Sequence, residues 1–201
     1  MIEFDVATHT YFEVRDGHRR EVPGVSHILD IMGQKGDFSR KDTQWHMTRG
    51  SFVHKAIALD SAGELDPATV DANVAPYLGA WRKFKRDYKV EVIATEKSVY
   101  CADLDYAGTL DAVVILGLAI SRHPIVVDAK TGSAAAWHEL QVAAYVRAHA
   151  GEYWRNFGGA VLYLRDTGYS FHFMEPLVLD RKVAEWESLV RQYHQQEAVL
   201  W

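Results

Sequence analysis

Ile125, Val126 and Val127 follow one another without a polar interruption, and Gly132-Ser133 closes the segment soon after. A strand with one wet face alternates apolar and polar residues, so an unbroken β-branched run of this kind belongs to a strand covered on both sides. A sheet of that kind needs helices over both faces, and the rest of the chain must supply them. With 201 residues, 48% of them hydrophobic and 24% charged, the chain is long enough for one substantial core and short for two. One domain over 1–201 is expected.

Three strand-like runs follow one another from Val90: residues 90–100, 106–116 and 125–131. Upstream the pattern differs. Residues 10–14 and 19–22 are β-prone around Asp16-Gly17, a strong hairpin signal, and predict an N-terminal hairpin. Ser26 is placed to cap a short helix bearing Ile28, Leu29 and Met32, and a second helix is expected over 41–61. Asp66-Pro67 reads as a cap with proline at the first helical position, opening a long helix to about residue 89. Downstream, 137–150 is helical, 160–164 and 169–174 are strands, and Asp180 is placed to cap a last amphipathic helix carrying Val183, Trp186, Leu189, Val190 and Tyr193. The chain divides into an N-terminal hairpin and short helix (1–40), a helical segment (41–89) and a sheet-bearing core (90–201).

Several classes of protein are set aside by composition. Residues 1–10 carry acids rather than a charged-then-apolar leader, and no stretch of about eighteen apolar residues occurs, so neither export nor membrane insertion is expected and a reducing cytoplasm is the default. Cys101 is the lone cysteine, which excludes an internal disulfide and a cluster held by four thiolates of this chain. A formal charge of −5 argues against a protein that coats nucleic acid, though a local basic path is all an enzyme on such a polymer needs. Lys130-Thr131-Gly132 matches one element of penicillin-recognising serine enzymes, but no Ser-x-x-Lys or Ser-Asp-Asn accompanies it. A phosphate-binding P-loop is also missing.

Asp128 and Lys130 stand two apart on a strand and so share a face, while Ala129 points the other way. Asp111, on the preceding strand, can approach them. Two carboxylates and a backbone carbonyl, that of Ala129, suffice for a hard divalent ion, and a nearby ammonium stabilises negative charge developing on a phosphate. Acid-x-Lys also arises as an ion-paired strand end without metal, and the triplet by itself does not separate the two readings.

At these residues the chain resembles the PD-(D/E)xK nuclease superfamily, and within it the RecB-like and phage-type exonucleases. Gly50 followed by His54 on a helix matches the first motif, Glu96 the strand acid, Gly108-Thr109-Leu110-Asp111 the Gly-x-x-Asp motif and Asp128-Ala129-Lys130 the Asp-x-Lys motif. Gln141 and Tyr145 match the Gln-x-x-x-Tyr of the helix that follows, and residues 22–26 look like the opening segment of phage members. The resemblance implies a restriction-endonuclease-like α/β core with a central mixed sheet flanked by helices. It implies Mg²⁺ or Mn²⁺ held by His54, Asp111, Asp128 and the Ala129 carbonyl, with Glu96 near a second ion or behind the first. Lys130 would promote attack of water, and Gln141 and Tyr145 would face the active site and either touch the substrate backbone or support the lysine. Gly50 would let its helix approach the sheet so that His54 reaches the site.

For the substrate path, Lys35, Arg40, Lys41, Arg49 and Lys55 bracket His54, and Trp45 and His46 are placed to stack on bases. Arg82, Lys83, Lys85, Arg86 and Lys89 form a second basic stripe opposite Trp81, Phe84 and Tyr88, although a solvated helix face is the commoner fate of such a run. The expected activity is metal-dependent DNA cleavage, as an exonuclease on single- or double-stranded ends. Its setting would be phage or bacterial recombination, repair or replication, in the cytoplasm of a bacterium or phage-infected host, with a recombination or single-strand-binding protein as the kind of partner implied. The competing expectation is a DNA- or partner-binding domain on the same fold that does not cut.

Overall fold

The computed structural model describes residues 1–35, 41–117, 121 and 123–199, with the backbone alone at 41–44, 46 and 47. These residues form strands β1 (Ile2–Asp5), β2 (Thr10–Arg15) and β3 (His18–Val22), then helices α1 (Val25–Ile31), α2 (Lys41–Ala62) and α3 (Ala75–Asp87). The core follows as β4 (Val90–Cys101), β5 (Tyr106–Leu116), β6 (Ile125–Lys130), α4 (Trp137–Ala150), β7 (Gly158–Arg165), β8 (Gly168–Met174) and α5 (Pro176–Val199). Strands β4 to β8 lie in sequence order in one five-stranded sheet, antiparallel except for the parallel pair β6–β7, which α4 connects. Helices α1, α4 and α5 cover one face, and α2 and α3 the other. This is the mixed, helix-flanked α/β sheet expected from the sequence.

The apolar run of β6 explains the layering. Val126 packs among α1, α4 and α5, whereas Ile125 and Val127 pack beneath α2 and α3, and all three are fully buried. Helix α4 is buried nearly all round, with Leu140 and Val142 to Val146 inaccessible or nearly so, because the sheet takes one side and α5 the other. Tyr106 fixes β5 against it: the hydroxyl donates to the Ala144 carbonyl at 2.9 Å, and the ring meets Trp186 of α5 edge-on at 5.1 Å. Gly108 lies two residues along β5, and a Cβ there would fall 2.6 Å from Cε1 of Tyr145 and 3.2 Å from Val25. The glycine leaves room for the tyrosine ring against the backbone.

Strong local signals in the sequence match the structure. Asp16 and Gly17 form the β2–β3 turn with φ of 51° and 78°, the pair of positive values that a two-residue hairpin of this twist needs. Other expectations require correction. The N-terminal hairpin is a three-stranded antiparallel sheet, because β1 adds to β2. Asp66 does cap, accepting from the Ala68 N–H at 2.9 Å, but it opens only a short 3-10 turn (Pro67–Thr69), and the long helix is shortened to α3. Gly24, not Ser26, sits at the cap of α1, and α5 begins at Pro176, four residues before Asp180. Gly50 does not secure a close approach, since among the described residues a Cβ there would meet Thr131 Oγ1 alone, at 3.6 Å, an ordinary contact.

The two glycines therefore respond oppositely to alanine. Gly108→Ala is expected to destabilise the protein by about 1–3 kcal/mol through overpacking, and Gly50→Ala to leave it unchanged or raise stability by up to about 1 kcal/mol through helix propensity. Urea unfolding of both variants measures this; equal midpoints would show that Tyr145 is not held against Gly108.

Candidate metal centre

The site lies where two strands part. The β5–β6 ladder runs Val114–Ile125, Val113–Val126, Ala112–Val127 and ends there, one rung short of Asp111 and Asp128. Past that rung the Ala129 N–H donates to Asp111 Oδ2 at 2.7 Å, so the carboxylate takes the place of a strand carbonyl. On the far side of β5, Thr95–Ala112 and Lys97–Leu110 bracket Glu96, which therefore stands across from Asp111. Leu110 and Val113 pack on one face of the sheet, Ala112 and Val114 on the other, so the alternation of β5 slips at Asp111. Glu96 itself has φ of 47°, a left-handed conformation inside a strand that costs roughly 1–3 kcal/mol for a non-glycine residue.

His54 reaches this point from α2. Its Nδ1 is 2.9 Å from Asp111 Oδ1 and 4.0 Å from Glu96 Oε1, and one ligand atom from each of the three side chains falls within 4.8 Å of the others. Imidazole and carboxylate donors gathered this closely form a cluster able to hold a metal ion. The electrostatics agree. Burial disfavours a charged imidazole, but the Asp111 carboxylate beside it outweighs burial and raises the His54 pKa to about 9. Burial likewise works against ionised Asp111, and the His54 and Lys130 charges overcome it, holding that carboxyl below its usual range. Glu96 is pushed up to about 7 by burial of its head group and by Asp111, although 42% of its side chain still meets solvent. A protonated histidine thus supplies the positive charge that the acids demand, and a metal must displace that proton to use Nδ1.

Asp128 and Lys130 face α4 instead. The Lys130 ammonium donates to Asp128 Oδ1 at 3.0 Å and to Gln141 Oε1 at 2.8 Å, and Gln141 Nε2 donates to the Tyr145 hydroxyl at 2.8 Å. The second oxygen of Asp128 lies 2.8 Å from the same ammonium but is buried and lacks an aligned donor. Burial, with Asp111 nearby, raises the Asp128 pKa against the pull of Lys130. His54, Glu96, Asp111, Asp128, Lys130, Gln141 and Tyr145 all line one cleft of about 1180 Å³. Part of its lining comes from the N-terminal sheet and α1, through residues such as Phe4, His9, Tyr11 and His27. Residues 22–26, singled out by their resemblance to phage members, lie in that part of the lining, and Trp137 adjoins the site with its ring 5.4 Å from the Lys130 ammonium and 5.5 Å from that of Lys35. Short β-runs and an isolated tryptophan give no local signal of such placement.

Of the residues expected along the substrate path, Lys55 lines the cleft, and Arg49 sits beside it between the rings of Trp45 and Tyr77, 4.9 and 4.7 Å from their centres. Lys35 turns inward, donating to the Ser26 carbonyl at 2.9 Å. Arg40 and the side chains of Lys41 and His46 lie outside the described residues. The second basic stripe is partly neutralised: Arg82 and Lys85 both hold Asp60 at 2.7 Å, Lys83 pairs with Asp87, and none of these lines the cleft. Among the described residues no helix is long and apolar enough to cross a membrane.

No family model matches the chain, and no curated protein matches it in sequence. Among solved structures it is similar to SSO0001, with 13% identity and a TM-score of 0.31 over 81% of this chain and 82% of that one. It is also similar to an alkaline exonuclease, LHK-Exo, from Laribacter hongkongensis, with 11% identity and a TM-score of 0.33 over 88% and 93% of the two chains.

In the metal-free protein the His54 ring is expected to stay protonated until about pH 9, against the usual 6.5. Because the folded pKa is raised, the stability it contributes is complete below 6.5 and fades as pH rises through about 9. Imidazole ¹H–¹³C shifts followed from pH 5 to 10 measure this, and Asp111→Asn should bring the midpoint down. A wild-type midpoint near 6.5 would show that the ring is not paired with Asp111.

Proposed function

We propose that this chain is a divalent-metal-dependent deoxyribonuclease that works from DNA ends. The observation that carries the reading is the meeting, on the floor of one cleft, of the His54–Glu96–Asp111 cluster with a lysine gripped by Asp128 and Gln141. An ion-paired strand end would need neither the histidine from α2 nor the amide from α4. The carboxylate oxygens suit Mg²⁺ or Mn²⁺, and the imidazole is better matched to Mn²⁺ of the two. Asp128 Oδ2, buried without an aligned donor, is a further open acceptor. His54, Glu96 and Asp111 would hold the ion, with Asp128 and the Ala129 carbonyl adjoining from β6. Such an ion supplies Lewis acidity to the scissile phosphodiester and to the attacking water.

The protein's own groups do the rest. Lys130 has three donors and gives one each to Asp128 and Gln141, which fixes its ammonium at the carboxylates with a third donor to orient water or meet negative charge gathering on phosphate oxygens. Gln141 is itself fixed: its amide nitrogen donates to Tyr145, so its oxygen must face Lys130. Asp128 is held against the lysine and Asp111 against Ala129 before any substrate arrives, so little reorganisation is left for the reaction. Arg49 and Lys55 give the strand's phosphates a local positive path on a chain of net charge −5. The matching role is end-processing in bacterial or phage recombination, repair or replication.

The test uses end-labelled single- and double-stranded DNA, linear and circular, with Mg²⁺, Mn²⁺ or EDTA. Linear DNA should be degraded with either ion, circles spared, and EDTA should stop the reaction. Asp128→Ala and Lys130→Ala should each lower the rate by on the order of 10²–10³-fold, and Gln141→Ala by less. Equal activity in wild type and Lys130→Ala would mean a contaminant. DNA binding without cleavage in every case would replace this reading with a non-cutting binding domain.

A further inference from the structure

Helix α2 carries two neighbouring stripes. Ser51, His54 and Ala58 face the metal-site cleft, whereas Trp45, Arg49, Phe52, Ala56 and Leu59 recur at helical spacing along the adjoining stripe. That second stripe forms one wall of a separate concavity of about 440 Å³, closed opposite by Leu65, Val70 and Val74 from the segment leading into α3. Lys55 and Leu59 line both spaces, so the pocket adjoins the cleft along one helix edge.

The pocket's lining has a particular chemistry. Phe52 and Trp45 are 58% and 52% exposed, unusual for large rings on a helix that also supplies core residues Val53 and Ile57. Beside them the Arg49 guanidinium is held between two aromatic rings, with its Nε buried and without a partner and one terminal nitrogen 3.5 Å from the Thr131 carbonyl. Among the described residues the one acid in the lining, Asp71, is turned to its own loop, accepting from the Asn73 backbone and side-chain N–H groups at 2.7 and 3.0 Å. Flat apolar faces flanked by two cations suit a planar heterocycle joined to a phosphate.

We propose that this pocket is a single-strand subsite: it takes an unpaired base of the DNA strand whose backbone runs through the metal cleft, with Phe52 and Trp45 against the base and Lys55 and Arg49 toward the linking phosphates. The choice of ligand rests on the nuclease reading above; the pocket and its chemistry do not. Phe52 is far enough along the stripe to lie outside the metal cleft, and so contributes to holding the strand and not to the bond-breaking step.

The measurement is fluorescence anisotropy of a fluorescein-labelled single-stranded oligonucleotide with the full chain in EDTA, which needs no metal and no turnover. Phe52→Ala should weaken binding about ten-fold, the size of one lost base stack, and Phe52→Trp should restore it, while a blunt duplex should bind Phe52→Ala and wild type alike. In Mg²⁺, Phe52→Ala should raise KM on single-stranded DNA with kcat unchanged. Single-strand affinity unaltered by Phe52→Ala, with cleavage intact, would overturn the subsite and leave the nuclease reading standing. Phe52-dependent binding without cleavage by any form would remove the nuclease reading and keep the subsite. Wild-type self-association lost in Phe52→Ala, with DNA binding unchanged, would overturn the subsite in favour of contact between copies of the chain.

Discussion

The hydrogen bond from the Ala129 N–H to the Asp111 carboxylate is the join on which the site depends. A strand interior normally satisfies each N–H with a neighbouring carbonyl, and a buried N–H left unpaired costs about 1–3 kcal/mol. By ending the β5–β6 ladder one rung early and handing the freed donor to a side chain, the fold opens a fork without leaving that debt. The fork turns Asp111 toward α2 and its histidine, while Asp128 and Lys130 look toward α4. Both covering layers of helices thereby reach one spot at the end of the sheet.

Charge balance at that spot comes from opposite directions. Three carboxylates approach, and the compensating charges are a raised-pKa imidazole on one side of the sheet and an ammonium on the other. The two cations differ in what they can give up. Histidine can release its proton and offer the same nitrogen to a metal, whereas the lysine nitrogen is tied to Asp128 and Gln141. A proton and a metal ion would therefore compete for one nitrogen of the cluster, while the lysine is held in place by its two partners.

Much of this was legible in the residues, and the reasons are physical. The unbroken Ile125–Val127 run suits a doubly covered strand, since a strand with one wet face usually alternates, and Asp16-Gly17 specifies its turn through backbone conformations few other pairs adopt. The spacing of Gln141 and Tyr145 put both on one helix face, and they do bond to each other. What failed was local signals overruled by context. Asp66-Pro67 caps a turn and not a long helix because a cap fixes where a helix can start, not how far packing will extend it. Arg82 and Lys85 looked like a free basic face, but their acid, Asp60, comes from another helix, and pairing across helices is invisible in the spacing of either. Trp137 and the part of the cleft lining that comes from β1 and β2 belong to the same class, placed by the fold and marked by nothing nearby in the chain.

The backbone at Glu96 bears on what that acid is for. Left-handed conformations are adopted by aspartate and asparagine more readily than by glutamate. Aspartate at this position would ease the backbone and retract the carboxylate by one carbon, away from the His54 nitrogen that Glu96 now approaches to 4.0 Å. A longer side chain on a less comfortable backbone is a choice of reach over ease. The feature that would look like an irregularity in the β4 ribbon is therefore a length gauge, setting how far from the sheet the outermost acid of the cluster ends.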